Sequence, residues 1–162
     1  MTTRDVTETT FVVGNHVIVI TVDAQDVPQS LGISIQLDGR HLRSFEEPGW
    51  RLPKYGVADG HFYWWSARRL VIIRTDAPSE IREATLDEDI LYVFAHAGDW
   101  VLVCETSLRL HRGATEVARV EFPEVITFAR LEGSQLVVED AGGVTRGIAI
   151  STAGLESIDK AG

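Results

Sequence analysis

Apolar residues come in short bursts broken by glycine, and no segment repeats them with the 3.6-residue period of an amphipathic helix. One motif returns four times: a glycine followed, two or three residues later, by an apolar run. Its instances are Gly14-Asn15-His16-Val17-Ile18-Val19, Gly60-His61-Phe62-Tyr63-Trp64-Trp65, Gly98-Asp99-Trp100-Val101-Leu102-Val103 and Gly133-Ser134-Gln135-Leu136-Val137-Val138. The glycines stand roughly 35–46 residues apart, which is the spacing of a structural repeat. Each follows a short apolar stretch: Phe11-Val12-Val13, Tyr55-Gly56-Val57, Leu91-Tyr92-Val93-Phe94 and Ile126-Thr127-Phe128. The pattern predicts that each unit opens as a hairpin, with glycine accepting the positive φ of the turn. A third strand is predicted at 33–37, 70–74, 108–110 and 144–150. A fourth, more polar strand closes each unit at 41–45, 81–85, 117–122 and 155–158. The second strand of each unit reads as buried on both faces, because its apolar residues are consecutive. The fourth alternates and reads as an edge with one wet face.

The chain is thus expected to form a single all-β domain over residues 1–162, with units at about 9–50, 55–90, 91–125 and 126–159. Four-stranded units with a buried inner strand and a wet outer strand resemble the blades of a β-propeller. The resemblance implies sheets packed face to face around an axis. It is generic, since no Trp-Asp or Gly-His signature ends the units. A β-sandwich or a roll of stacked sheets is the alternative, because it shares the short strands and turn spacing. Gly142, Gly143 and Gly147 interrupt the fourth unit, and residues 1–8 are read as a latch on that unit's edge.

In a four-stranded meander the connections fall on two rims. One holds the tight glycine turns. The other holds the longer segments, 21–30 and 46–54, where binding residues are expected to concentrate. Charge points to the same rim. The chain carries 15 Lys+Arg against 24 Asp+Glu, a net charge of −9, and the longer loops hold most of the excess. The candidate binding residues are Asp23, Asp26, Glu46, Glu47, Trp50, Arg51, Asp87, Glu88 and Asp89. Trp50 is the expected exposed anchor, since tryptophan and arginine dominate interface energetics, with a plug of the scaffold's axis as the alternative. Trp64, Trp65 and Trp100 fall in inner strands and read as core.

The acidic balance argues against nucleic acid as partner, and no apolar stretch is long enough to span a bilayer. The first residues lack the layout of a secretory signal, and Cys104, the single cysteine, cannot form an intramolecular disulfide. Both features point to the cytoplasm. Cys104 reads as a buried structural thiol beside Glu105. His16, His61 and His96 recur near successive turns with Asp59 and Asp99, but their spacing matches no metal motif. Asp87-Glu88-Asp89 lacks the spaced oxygens and glycine of a calcium loop. No nucleophile elbow, phosphate loop or dinucleotide fingerprint occurs, so no catalytic residue, metal or cofactor is assigned.

These features predict a non-enzymatic protein-binding module whose acidic loop face captures a basic protein, in the manner of antitoxins and immunity proteins. A small-ligand or carbohydrate-binding domain is the alternative, and a small hydrolase a more distant one. Few lysines guard the outer strands, which leaves pairing into a homodimer open. Reversing Asp87, Glu88 and Asp89 to lysine is expected to slow capture of the partner and to leave folding intact.

Overall fold

The computed structural model describes residues 4–26, 29–48 and 51–158. Among them are sixteen strands and no helix. They form four antiparallel four-stranded sheets, each a meander in chain order. The first holds β1 (Arg4–Val13), β2 (His16–Asp26), β3 (Gln29–Leu37) and β4 (Arg40–Pro48). The second holds β5 (Lys54–Ala58), β6 (His61–Trp65), β7 (Arg69–Arg74) and β8 (Ile81–Thr85). The third holds β9 (Ile90–His96), β10 (Asp99–Cys104), β11 (Ser107–Arg112) and β12 (Thr115–Glu121). The fourth holds β13 (Ile126–Glu132), β14 (Gln135–Asp140), β15 (Thr145–Ser151) and β16 (Gly154–Ile158). By contact, the chain divides into two compact units, 1–66 with 71–81, and 67–70 with 82–162.

The hairpin turns follow from backbone sterics. Asp59 and Gly60 both take positive φ, 49° and 72°, as a two-residue type I′ turn requires. Aspartate and glycine are among the residues that tolerate that region. Between β5 and β6, Gly56 stands opposite Tyr63, and the phenol ring lies where a Cβ on Gly56 would sit. The ring also stacks on Trp65 at 6.0 Å between centroids. Here a glycine inside a strand makes room for an aromatic side chain.

In the first unit, Ile18, Ile20 and Val22 of β2 and Leu31, Ile33 and Ile35 of β3 pack with Phe62, Trp64, Val71 and Ile73. Phe45 meets Trp64 edge-on at 5.1 Å. In the second unit, Val101, Val103, Leu108 and Leu110 pack with Leu136, Val138, Ile148 and Ile150. Trp64, Trp65 and Trp100 are all buried, as their strand positions predicted.

Three expectations change. The segment 21–30 is not a long loop: β2 and β3 stay paired to Asp26 and Gln29. Alternation explains the misreading, since Val22 and Ala24 face the core while Asp23 and Gln25 do not. Likewise β4 runs to Pro48 and takes Glu46 and Glu47 out of the predicted loop. Of the latch expected over residues 1–8, residues 4–8 pair with β2, from Arg4 opposite Gln25 to Glu8 opposite Thr21, and residues 1–3 lie outside the described residues.

Replacing Gly56 by alanine should displace the Tyr63 ring and cost about 1–3 kcal/mol, the usual range for overpacking. The midpoint of a urea melt measures it, and an unchanged midpoint would show that the ring moves freely.

Candidate binding rim

The connections at one end of the second unit are bonded to one another. Leu86 N–H donates to the Arg68 carbonyl at 2.8 Å, and Ile90 N–H to Ala67 at 2.6 Å. Glu105 N–H donates to Asp89 at 3.1 Å, Ile126 N–H to Glu105 at 2.7 Å, and Ala141 N–H to Val125 at 2.8 Å. These bonds cross from loop to loop. They tie the links that precede β7, β9, β11, β13 and β15 into one seam, so that the rim is a fixed surface.

Beneath the seam lies a charge that the sequence reading missed. Arg109 sits between Leu108 and Leu110, and its side chain is only 4% exposed. A charge inside an apolar strand is itself the signal, because a buried guanidinium requires partners. Its Nη2 donates to Asp87 Oδ1 at 2.7 Å and to Glu88 Oε2 at 2.8 Å, and its Nε donates to Ser107 Oγ at 3.0 Å. Glu88 also accepts from the Ser107 hydroxyl at 2.7 Å, the Thr106 hydroxyl at 2.9 Å and the Thr106 N–H. Burial alone would raise the Glu88 carboxyl; the donors from Thr106, Ser107 and Arg109 outweigh it and hold the group below the usual carboxylate range. Hydrogen bonding to Arg109 also lowers Asp87. Asp140 plays a local structural part too, since its Oδ1 accepts from Gly142 N–H at 2.9 Å and Val144 N–H at 3.0 Å.

The predicted site residues therefore separate by role. Asp87 and Glu88 meet at Arg109, while Asp89 pairs with Arg68 at 3.1 Å. Asp87 is 77% exposed and still faces solvent; Glu88 is turned inward. The expectation that folding survives reversal of all three residues fails at Glu88, where a lysine would set a second cation against Arg109. In the first unit, Asp23 bonds Arg4 and shares an outward row with Gly32 and Glu46. Asp26 ends β2 opposite Gln29, and Glu47 is buried on β4 rather than displayed on a loop. Arg51 is half-buried, and Trp50 lies outside the described residues. Glu105 and Glu124, read from the sequence as acids of this rim, are exposed on the seam of the second unit, and Glu121, which was not, is exposed beside it.

Titratable groups with chemical reach are accounted for differently. Burial, reinforced by Glu88 and opposed by Arg109, pushes the Cys104 thiol up to about 12, so it stays protonated. His16 Nδ1 lies 2.7 Å from Asp38, His61 Nδ1 2.9 Å from the Asp59 carbonyl, and His96 Nε2 3.2 Å from the Ser134 hydroxyl. No group of three metal-ligating side chains occurs among the described residues. Nor does any described helix have the length and apolarity to cross a membrane.

No family model matches this chain, and no curated protein matches it. Solved structures do. The computationally designed Ika4 protein is 10% identical, with a TM-score of 0.55, over 82% of this chain and 86% of its own. BamB from Moraxella catarrhalis is 13% identical with a TM-score of 0.53, and BBS1N, solved in complex with ARL6DN, is 10% identical with a TM-score of 0.54. The match covers 89% of this chain and 43% of BamB, and 95% of this chain and 52% of BBS1N. The chain thus spans about half the length of those two propeller-like proteins. Its fold is all-β and propeller-like.

Replacing Arg109 by methionine should cost about 3 kcal/mol, because it strands the inward Glu88 carboxylate. Adding Glu88→Gln should recover part of that loss in a double-mutant cycle; strict additivity would show that the pair is uncoupled. Burial also depresses the His111 imidazole below its ordinary 6.5. Between its folded value and 6.5 the unfolded chain binds the extra proton, so this contribution to stability is full above 6.5 and lost as pH falls. Denaturation midpoints at about pH 7.5 and about pH 5.5 should differ less in His111→Gln than in the parent.

Proposed function

We propose that this protein is a non-enzymatic binding module that captures a basic protein on the acidic rim of its second unit. The observation that carries this reading is the seam. It fixes the rim's loops, and the carboxylates of Asp87, Glu105 and Glu124 face solvent along it, with Glu121 paired to Arg119 at 3.6 Å. The guanidinium of Arg109 is turned beneath the surface, so its charge is spent on Asp87 and Glu88 rather than displayed. A surface that is both rigid and anionic binds a cationic patch with little loss of loop entropy and draws it in by long-range attraction. The mechanism is occlusion: the partner's basic surface is covered and its own ligand excluded. An inhibitor of the immunity or antitoxin type fits this chemistry, and the lone buried thiol suits a cytoplasmic setting.

The test begins with capture of basic proteins by the tagged chain at low and high salt, followed by association kinetics with the purified partner. Glu105 and Glu124 are suited to reversal, since both side chains are exposed. Glu105→Lys with Glu124→Lys should slow association about tenfold, flatten its salt dependence and leave the melting temperature near that of the parent. Unchanged association kinetics would remove the rim from the interface.

A further inference from the structure

At the seam end of the fourth sheet, apolar side chains stand exposed among the acids of the second unit. Val125 precedes β13 and Val144 precedes β15, and they are 47% and 48% exposed. Phe128 of β13 is 45% exposed and stands opposite Glu139 of β14, which in turn stands opposite Thr145 of β15. Phe128 and Glu139 lie on the outward face of the sheet, since the next pair, Ala129 and Val138, is buried. Backbone bonds hold both valines in place. The Val125 carbonyl accepts from Ala141 N–H at 2.8 Å, and the Val144 carbonyl from Asp140 N–H at 3.0 Å. Val144 N–H donates to the buried Asp140 carboxylate at 3.0 Å. Gly142 and Gly143 are exposed in the same link, and a Cβ on Gly143 would meet nothing. Single apolar residues are ordinary on a surface. Three of them at one end of one sheet, fixed in place and ringed by charge of one sign, have the apolar centre and polar rim of a protein contact.

The charges around this patch have one sign once ion pairs are counted. Glu124 adjoins Val125 in the chain, Glu139 faces Phe128, and the Glu105 carbonyl accepts the Ile126 N–H at 2.7 Å; all three glutamates are exposed. The cations nearby carry carboxylates of their own. Arg130 bonds Glu132 at 2.6 Å, and Arg146 lies 3.9 Å from Asp140 with its guanidinium over the Phe122 ring. We propose that the patch receives a basic segment of the captured protein that carries one large apolar side chain between cations. The proposal rests on the acidic rim as the capture surface and adds what the partner presents to it. The apolar side chain seats on Val125, Phe128 and Val144, and the flanking lysines or arginines reach Glu105, Glu124 and Glu139. Carboxylates alone would select poorly among cationic surfaces, because exposed ion pairs contribute little each. The apolar seat supplies the selection by expelling water from both surfaces. The same carboxylates repel the phosphates of an anionic membrane or a nucleic acid.

Two synthetic peptides of equal charge test this on the isotope-labelled full chain, one with phenylalanine between two Lys-Arg pairs and the other with glycine in its place. The phenylalanine peptide should bind about tenfold tighter, the ratio expected for burying much of one aromatic side chain. Its addition should move the amide signals of Val125, Phe128, Glu139 and Val144 in heteronuclear NMR spectra. Phe128→Ser with Val144→Ser should abolish the difference between the peptides without unfolding the chain, since both side chains are half exposed. Glu105→Lys with Glu124→Lys should weaken both peptides alike. Equal binding of the two peptides, weakened by that reversal, would overturn the apolar seat and leave the acidic rim as the capture surface. Binding by neither peptide, or binding that ignores the reversal, would overturn both. Shifts at the same residues on concentrating the chain alone would assign the patch to a second copy, and shifts with phosphatidylcholine vesicles would assign it to a lipid surface. Either result would overturn the proposal.

Discussion

Every strand in this protein answers one constraint: a sheet with apolar side chains has to press them against another layer. Within each unit the result is two facing sets of branched aliphatic residues, Ile18, Ile20 and Ile33 with Val71 and Ile73 in one, Leu108 and Leu110 with Leu136 and Ile148 in the other. The first set is β-branched throughout and stands off the pleat in few rotamers, while the second is built mainly of leucine. Trp64 and Phe62 enlarge the first core, while the second holds the buried ring of Phe122 with Tyr92 and Phe94 packed against it. The hairpin turns, the strand lengths and the position of each loop follow from keeping those faces in register.

The repeat was legible because its punctuation is chemical. Glycine at Gly14, Gly60, Gly98 and Gly133 marks positive φ in all four units, and the runs after it mark the inner strands. Strand ends were less legible. From Thr21 to Asp26 the wet face carries Thr21, Asp23 and Gln25, and polar residues at alternate positions imitate a loop when read in sequence. The difference in burial between the first sheet and the third was hidden for a related reason. Val17-Ile18-Val19 and Val101-Leu102-Val103 look equivalent as letters, yet only the second is covered on both sides.

The candidate site was legible as charge and illegible as geometry. Asp87, Glu88 and Asp89 form an obvious acidic run, but their fates diverge through residues that are distant in sequence. Arg109 takes one carboxylate inward and fixes another at the surface, and it does so from the middle of an apolar strand. Burying that ion cluster is not a favourable way to gain stability in itself, because desolvation offsets the attraction. What it supplies is position: the link between β8 and β9 is held to β11 by directed bonds.

The seam of loop-to-loop hydrogen bonds also makes the two rims unequal as places for the chain to change length. A hairpin turn such as Gly14-Asn15 projects from its own pair of strands, and extra residues there would lengthen one finger without disturbing the next. The link between Cys104 and Ser107 has no such freedom, since Glu105 is bonded to the loop before it and to the loop after it. An added residue at that point would shift its neighbours on both sides. Over evolutionary time, insertions should therefore accumulate on the hairpin side, while the acidic side varies by substitution at constant length.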